Sequence, residues 1–251
     1  MKKLFAIALA LVLALSTLTA MADEIVYVAT NPEYPPFESV DDDGETIVGY
    51  DVDLFDAIAK KAGFEYKFES MEFAAVVNAV ATNVNTVGLS GISITDERKL
   101  TVNFSEGYIN AGLVVIVKAD SGYTTADQLK GKLIGVQLGT TSDFEAEKIT
   151  GIDNVARYNT FLNAVMDLQG NQIDAVFVDK PVGQAILSSL NDPSLVMLDI
   201  EIVADWYGIE VNKQNPELLE KINAALAELN AEGFFDQLAV KYFSSSEEAA
   251  E

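Results

Sequence analysis

Short apolar segments of strand length alternate with helix-like segments along most of this chain. Residues 25–29 predict a strand, and residues 51–62 carry apolar side chains at the spacing of one helix face. The alternation falls into two sets, one before about residue 110 and one between about residues 112 and 205. Repeated strand–helix units are typical of α/β proteins with mostly parallel sheets. We therefore expect two α/β lobes.

Ligands of α/β sheets bind beyond the carboxyl ends of the strands, so the loops that follow strands are where a site is expected. Asp51 stands at the N-cap position of the first long helix, and Gly63 stands just past its end. The pattern predicts strands at residues 25–29, 64–68, 86–89, 113–117, 133–137, 155–158, 173–178, 195–198 and 206–211. It predicts helices at residues 51–62, 73–81, 126–129, 142–149, 161–168, 179–190, 216–229 and 234–243.

The chain lacks two residue types on which much enzyme chemistry depends. It has no Cys and no His, which excludes disulfides, thiolate and imidazole metal ligands, a Cys nucleophile and a Ser-His-Asp triad. Its 39 acidic and 16 basic residues give a net charge of −23. Such a surface repels phosphate backbones, so a nucleic-acid partner is not expected. The pattern calls for no cofactor.

The first 22 residues have the pattern of a secretory signal peptide. Lys2 and Lys3 precede an apolar run at residues 4–15, and a small-residue cleavage site ends at Ala22. A membrane anchor is the alternative, but the run is short for a bilayer. We expect cleavage before Asp23 and, with no Cys available, no lipid anchor. At the other end, residues 244–251 predict a flexible acidic tail.

Two post-strand loops in the first set could bind a ligand. Residues 31–37 hold two aromatic side chains between prolines, and we expect Phe37 in the core and Tyr34 facing a ligand. Residues 90–98 place Arg98, whose paired donors match a carboxylate, after a hydroxyl-rich turn. Taken as a spacing alone, a cap by Thr95 and an exposed Arg–acid pair explain this second loop better.

Two further loops lie in the second set. Residues 137–142 lead into a helix, whose free N–H groups attract an anion, although ordinary capping by Ser or Thr explains them as well. Asp179 follows a buried strand and suits either a ligand ammonium or an N-cap with Pro181 in the first turn. The acidic run at residues 41–43 lacks the spacing of a calcium loop and predicts a solvated hairpin, so no metal site is expected.

Taken together, these segments resemble the polar amino-acid family of periplasmic solute-binding proteins, the capture subunits of ABC importers. The similarity spans about residues 25–243, nearly all of the expected mature chain. The motifs that carry it are Tyr34-Pro35-Pro36-Phe37-Glu38, Val48-Gly49-Tyr50-Asp51-Val52-Asp53-Leu54, Ser90-Gly91-Ile92-Ser93-Ile94-Thr95-Asp96-Glu97-Arg98, Asn103-Phe104-Ser105, Tyr108, Asp127-Gln128-Leu129-Lys130-Gly131-Lys132, Gly135-Val136-Gln137-Leu138-Gly139-Thr140-Thr141 and Asp174-Ala175-Val176-Phe177-Val178-Asp179.

The resemblance implies a type II periplasmic-binding fold, with two α/β lobes joined by a two-strand hinge. Residues 23–110 and 206–243 would form the first lobe and residues 111–205 the second, with hinges near 109–113 and 203–206. Arg98 would hold the α-carboxylate of an amino acid, and Asp179 would help to hold its ammonium group. The ligand-binding residues that the resemblance implies are Asn31, Tyr34, Phe73, Ser90, Gly91, Ser93, Arg98, Gln137, Thr140, Thr141 and Asp179.

One departure from the family pattern bears on the ligand. Many relatives carry an acid at the position of Asn31, and its loss argues against a cationic ligand. Val178 stands where some relatives place a polar side chain, which suggests a partly apolar pocket. The resemblance therefore predicts a neutral or polar amino acid as ligand.

The expected mechanism is hinge closure around the amino acid, followed by delivery to a membrane permease by a monomeric protein of the periplasm. Two other functions stay open. A secreted enzyme of the same fold acting on a small carboxylic acid would need a general acid, with Glu33 or Asp179 as candidates. A ligand-sensing module would dock on a receptor instead of an importer.

Overall fold

The computed structural model describes residues 25–203 and 206–243. The expected signal peptide and acidic tail lie outside these residues. Seven α-helices occur in the described part: α1 (Tyr50–Ala62), α2 (Phe73–Thr82), α3 (Thr141–Thr150), α4 (Phe161–Gln169), α5 (Lys180–Leu190), α6 (Pro216–Ala231) and α7 (Phe234–Phe243). Short 3₁₀ helices lie at Arg98–Leu100, Ala126–Leu129 and Ile152–Asn154. The predicted helices agree with these within two residues at each end.

Fifteen strands occur in the same described residues. They are β1 (Val26–Thr30), β2 (Glu33–Tyr34), β3 (Glu38–Val40), β4 (Ile47–Val48), β5 (Tyr66–Ser70), β6 (Thr86–Gly88), β7 (Val102–Phe104), β8 (Ile109–Asn110), β9 (Leu113–Lys118), β10 (Ile134–Gln137), β11 (Val155–Tyr158), β12 (Ala175–Asp179), β13 (Leu195–Val203), β14 (Trp206–Tyr207) and β15 (Glu210–Asn212). Each predicted strand has a counterpart, but the one predicted at 206–211 is divided into β14 and β15.

Two five-stranded sheets form the centres of the molecule. The first has the order β5-β1-β6-β15-β7, and we call it, with α1, α2, α6 and α7, the first lobe. The second has the order β11-β10-β12-β9-β13, and with α3, α4 and α5 it forms the second lobe. Helices α3, α4 and α5 each pack on strands of the second sheet. The lobe boundaries expected from the sequence stay predictions.

The sheets are mostly parallel in strand direction, as expected, since four of the five strands in each run the same way, but half of the neighbouring strand pairs are antiparallel. In the first sheet β1 runs parallel to β5 and β6, but β15 is antiparallel to β6 and β7. In the second sheet β10 runs parallel to β11 and β12, but β9 is antiparallel to β12 and β13. The antiparallel strands of each sheet lie next to the passages between lobes, where the chain arrives without a strand–helix–strand crossover.

A two-stranded sheet connects the lobes. Strand β8 pairs antiparallel with β14, with Asn110 opposite Trp206 and Ile109 opposite Tyr207. These pairs lie at the two passages where the family resemblance implies hinges. Both passages are therefore joined by backbone hydrogen bonds, so a change in one affects the other.

The start of α1 differs from the sequence prediction. Gly49, not Asp51, is the N-cap, and its φ of 144° is a conformation that L side chains rarely adopt. The first N–H groups of the helix donate to the Pro36 and Phe37 carbonyls instead of to a side-chain cap. Asp51 is therefore released from capping and points into the protein. Gly63 ends the helix in the left-handed region, as predicted.

The small sheet β2-β3-β4 was not predicted, and it includes part of the loop expected at residues 31–37 and surrounds the polar turn expected at residues 40–45. Its strands are two or three residues long, too short to show an alternating pattern. The turn between β3 and β4 carries the acidic run, where Asp43 accepts backbone N–H bonds from Glu45 and Thr46. This turn is exposed, as expected of a solvated hairpin. Phe37 is fully buried in the core, also as predicted.

Within residues 25–203 and 206–243, none of the helices combines the length and the apolar composition that a membrane span needs.

Candidate functional site

Arg98 lies at the boundary between the lobes, not in an exposed ion pair. Its side chain is 7% exposed, and its guanidinium lies 5.5 Å from the centre of the Phe73 ring. Nη1 donates to the Ser93 carbonyl at 2.8 Å, and Nη2 donates across the cleft to the Gly139 carbonyl at 3.1 Å. Thr95 does cap the turn by accepting the backbone N–H of Arg98 at 3.1 Å. This hydrogen bond fixes the turn from which the Arg98 side chain extends between the lobes.

The loop that Arg98 reaches leads directly into α3. Thr140 is the N-cap, and its hydroxyl donates to the Gln137 carbonyl at 2.7 Å while accepting the N–H of Asp143 at 3.4 Å. The Asp143 carboxylate in turn accepts the N–H of Gly139 at 3.1 Å. Arg157 forms an ion pair with Asp143 and fixes it from behind. These bonds hold the start of α3 against Arg98.

Asp179 and Tyr34 meet from opposite lobes. Asp179 is the N-cap of α5 by position, but its side chain makes no capping bond there. Instead Asp179 accepts a hydrogen bond from the Tyr34 hydroxyl, which also lies 2.9 Å from the Tyr207 hydroxyl. Burial and the nearby Asp179 charge raise the pKa of Tyr34 well above its usual value. The phenol therefore stays protonated, and the carboxylate of Asp179 faces the cleft.

Ser93 joins the two groups just described. Its carbonyl accepts from Arg98, and its hydroxyl lies 3.3 Å from that of Thr141, the first residue of α3. Ser93 also forms an isolated β-bridge with Tyr207, whose hydroxyl contacts Tyr34. Arg98 and Asp179 are therefore connected through Ser93, Tyr207 and Tyr34.

A third link crosses the cleft at Asn31 and Gln137. The Gln137 side chain donates to Asn31 Oδ1 at 2.8 Å and to the Asn159 carbonyl at 2.7 Å. The Asn31 amide donates to the Met71 carbonyl at 3.1 Å. Both side chains are buried. Polar groups of this kind can form hydrogen bonds with the end of a ligand side chain.

Ser90 and Gly91 have their polar groups turned into the first lobe. The Ser90 hydroxyl donates to Glu38 and accepts the N–H of Asn31, and the Gly91 N–H donates to Asp51. Gly91 has a φ of 54°, and an added Cβ would lie 2.4 Å from the Tyr34 ring. Only glycine therefore allows Tyr34 to lie this close.

Several residues at this site carried no recognisable sequence signal. Tyr207 and Asn159 act through partners far away along the chain. Glu72 accepts from the Asn159 amide across the cleft at 3.4 Å, and Asp143 supports the Gly139 loop. Glu33, a candidate general acid, is exposed on β2. No group of three metal-ligating side chains is found among the described residues.

Glu210 is a further residue that the sequence did not reveal. It lies on β15, is fully buried, and is packed so closely that a Cβ on Gly88 would lie 2.7 Å from its Oε2. Among the described residues, no hydrogen-bond donor reaches either carboxylate oxygen. Burial raises the pKa of Glu210 to about 7, and the charge of Arg98 opposes this rise.

The arrangement offers two complementary charges in one cleft. At one end a guanidinium from the first lobe meets the N-terminal end of α3, where the helix dipole is positive. At the other end stands a carboxylate with its phenol partners. Two positive ends brought together favour an anion between them, and the carboxylate favours a cation. A small zwitterion satisfies both.

Comparison with known proteins agrees with this chemistry. The sequence model that describes the family of bacterial extracellular solute-binding proteins, family 3, matches residues 26–245 of this chain. The chain belongs to this family. It is 35% identical to ABC transporter arginine-binding protein 1 of Escherichia coli (strain K12), over 97% of this chain and 99% of that protein.

Two solved structures support the same assignment for this solute-binding protein. The arginine-, lysine-, histidine-binding protein ArtJ from Geobacillus stearothermophilus superposes with a TM-score of 0.83 at 33% identity, covering 88% of this chain and 96% of that one. An ancestral arginine-binding protein bound to glutamine gives a TM-score of 0.82 at 36% identity, covering 88% and 98%. The fold is therefore the type II periplasmic-binding fold, as predicted.

Family membership excludes one of the two other functions that the sequence left open. The family consists of solute-binding proteins, so this member is a binding protein and not the secreted enzyme considered above. Its family works outside the cytoplasm.

Proposed function

We propose that this solute-binding protein captures a free α-amino acid with a long cationic side chain, arginine first among them, and delivers it to an ABC permease. The observation that carries the proposal is the meeting of Arg98 with the start of α3 across the cleft from Asp179. It is supported by the relatives, which include proteins named as arginine-, lysine- and histidine-binding.

The α-carboxylate is assigned to Arg98. The planar guanidinium offers paired donors, and the N-terminus of α3 adds a positive helix end from the opposite lobe. Because these groups come from different lobes, a carboxylate contacts both only when the lobes are closed. The ligand therefore supplies the binding energy that favours the closed conformation.

The α-ammonium is assigned to Asp179. This carboxylate is buried and already accepts from Tyr34. A second donor with a positive charge strengthens the arrangement, since hydrogen bonds between charged groups are roughly twice as strong as neutral ones. The ring of Tyr34 would cover the apolar part of the ligand; its centroid lies 5.8 Å from that of the Phe161 ring.

The side-chain end is assigned to the group formed by Asn31, Gln137 and Glu72. Oxygen acceptors dominate there: Asn31 Oδ1, the carbonyls of Met71 and Asn159, and the Glu72 carboxylate. A guanidinium has five N–H donors and no acceptor, which matches such a group. The neutral or polar ligand expected from Asn31 is therefore the second candidate. Glutamine represents it, because the Asn31–Gln137 amide pair also offers a donor.

Titration of the exported protein, beginning at Asp23, against the twenty amino acids tests this proposal. A ligand present at a hundred times its Kd raises the free energy of unfolding by about 2.7 kcal/mol, which thermal unfolding detects readily. We expect the largest shift with L-arginine, a smaller one with L-lysine, and none with decarboxylated arginine. A larger shift with glutamine than with arginine would select the second candidate. The absence of a shift with every amino acid would contradict the function.

Asn31→Asp is expected to raise the preference for arginine over glutamine by about tenfold. The new carboxylate would still accept from Gln137 and would attract a guanidinium but not a neutral amide. The ratio of the two Kd values from calorimetry is the measurement. Asn83→Asp, which adds the same charge at an exposed position of the same lobe, should leave the ratio unchanged. An unchanged ratio in Asn31→Asp would mean that this residue does not face the ligand side chain.

We also propose that the protein is exported by its signal peptide, is cleaved before Asp23, and acts as an unlipidated monomer in the periplasm. The apolar run with its cleavage site supports export and cleavage, and the absence of Cys supports the lack of a lipid anchor. The mass of the exported protein and its elution volume in gel filtration test cleavage and oligomeric state. Chemical cross-linking of the arginine-loaded protein to the membrane fraction tests whether the partner is a permease or a receptor.

A further inference from the structure

Two carboxyl groups lie completely buried behind the loop that contacts Tyr34. Glu38 follows the proline-containing loop on β3, and Asp51 lies in the first turn of α1. Neither is more than 1% exposed. They are connected directly to the loop, since the Ser90 hydroxyl donates to Glu38 Oε1 at 2.7 Å and the Gly91 N–H donates to Asp51 Oδ2 at 3.0 Å.

The hydrogen bonds of the two carboxyl groups are complementary. In each, one oxygen accepts from donors: Glu38 Oε1 from Ser90, and Asp51 Oδ2 from Gly91 and from the Tyr108 hydroxyl at 2.9 Å. The other oxygens, Glu38 Oε2 and Asp51 Oδ1, are reached by no protein donor among the described residues. The two carboxyl groups interact with each other. A single proton between them would satisfy both remaining oxygens.

The surroundings favour one proton on the pair. The titratable groups that face it are the phenols of Tyr34, Tyr50 and Tyr108, and no Lys or Arg of the described residues acts on either acid. Burial raises the pKa of both carboxyl groups, and the proximity of Asp51 raises that of Glu38 further. Two adjacent charges without a cation would be very costly in such surroundings.

We propose that Glu38 and Asp51 share one proton and that the pair so formed fixes Ser90 and Gly91 against Tyr34, the hydrogen-bond partner of Asp179. The proton resides on Glu38, because Asp51 Oδ2 already accepts two hydrogen bonds and is the better-stabilised anion. The inference rests on the proposed function in assigning the ligand ammonium to Asp179, which accepts from Tyr34. Both acids are positioning residues, since neither is assigned a contact with the ligand.

The pair also connects the loop to the hinge. Tyr108, which donates to Asp51, immediately precedes β8 and donates its backbone N–H to the Tyr207 carbonyl of β14. The Ser90 hydroxyl, which donates to Glu38, also accepts the N–H of Asn31. Loss of the shared proton would therefore disturb the Ser90–Gly91 loop, Asn31 and the hinge strand that follows Tyr108.

Amide variants test the shared proton, because an amide can replace a protonated carboxyl group. In Glu38→Gln, the new Nε2 donates to Asp51; in Asp51→Asn, the new Nδ2 donates to Glu38. We expect each single variant to fold and to bind arginine within threefold of the wild type. The double variant has two NH₂ groups and no acceptor between them, and we expect at least a tenfold loss of affinity. Glu45→Gln, in the exposed turn after β3, is the matched control.

The pH profile separates a shared proton from ordinary packing. The wild type can lose its proton as the pH rises, whereas Glu38→Gln has none to lose. We expect the ratio of the Kd of the wild type to that of Glu38→Gln to grow at least threefold between pH 7 and pH 10. The ratio is used because the ammonium of the ligand titrates equally in both. A constant ratio, additive effects of the two substitutions, or a single amide variant that fails to fold would overturn the proposal.

A failure of the proposed function can be distinguished from a failure of the shared-proton proposal. If the wild type binds no amino acid, the function fails, but the double-mutant cycle can still be measured by unfolding the protein without ligand. A Tm lowered in the double variant by more than the sum of the two single effects would then support the shared proton. An additive lowering would overturn it.

Discussion

Replacing Arg98 by alanine is expected to weaken binding of the amino acid by at least a hundredfold. The guanidinium is buried, lies over Phe73, and reaches the second lobe at Gly139. Removing one partner of a buried, hydrogen-bonded charge pair costs about 2–5 kcal/mol, because the other charge is left without its counter-charge. About 1.4 kcal/mol corresponds to a tenfold change in Kd. Isothermal titration calorimetry with L-arginine measures the loss.

Two variants serve as controls for this loss. Lys99→Ala removes a positive charge one residue away, on a side chain that is half exposed, and should change the Kd less than twofold. Arg98→Lys keeps the charge but not the planar pair of donors, and a loss of about tenfold is expected. Near-normal binding by a folded Arg98→Ala protein would contradict the assignment of the α-carboxylate.

Replacing Glu210 by glutamine is expected to remove a large pH dependence of stability. The pKa of Glu210 is raised from 4.5 to about 7 in the folded protein. Between these values the folded state binds a proton that the unfolded state has lost, so the free energy of unfolding falls as the pH rises and levels off above 7. The free energy of unfolding of the variant relative to the wild type should rise by about 2–3 kcal/mol from pH 5 to pH 8.

Urea unfolding at several pH values measures this difference. A comparison between two pH values cancels any pH-independent cost of burying the new amide. Glu69→Gln, on an exposed side chain of the same sheet, should give a difference of less than about 0.5 kcal/mol at both pH values. Parallel curves for the wild type and Glu210→Gln would show that Glu210 is ionised throughout this range.

The long helices and the buried strands could be predicted from the sequence because their causes are local. The apolar face of α1 and Gly63 at its end are visible within the thirteen residues of the helix and the one that follows. Thr140 and Ser93 could likewise be identified in loops that follow strands. The Ala126–Leu129 helix and strand β11 occur with the bounds that their patterns predict.

The remaining features depend on contacts between distant parts of the chain. Asp51 has the pattern of an N-cap, but its carboxylate is bound to Gly91, forty residues away. Tyr207 reaches Tyr34 across a separation of 173 residues. Strand β13 continues to Val203 through a register shift, because β9 provides a partner along that length. No local pattern could reveal these pairings.

The order of strands in the first sheet also affects how the protein is made. Strand β15 lies between β6 and β7, yet it comes from the chain that follows the second lobe. Strand β7 pairs in this sheet with β15 alone, and Arg98 belongs to the segment between β6 and β7. During synthesis from the N-terminus, β7 at the end of this segment has no strand partner in the sheet until the last strand has emerged. An incomplete chain therefore lacks part of the framework that holds Arg98, the residue proposed to bind the carboxylate.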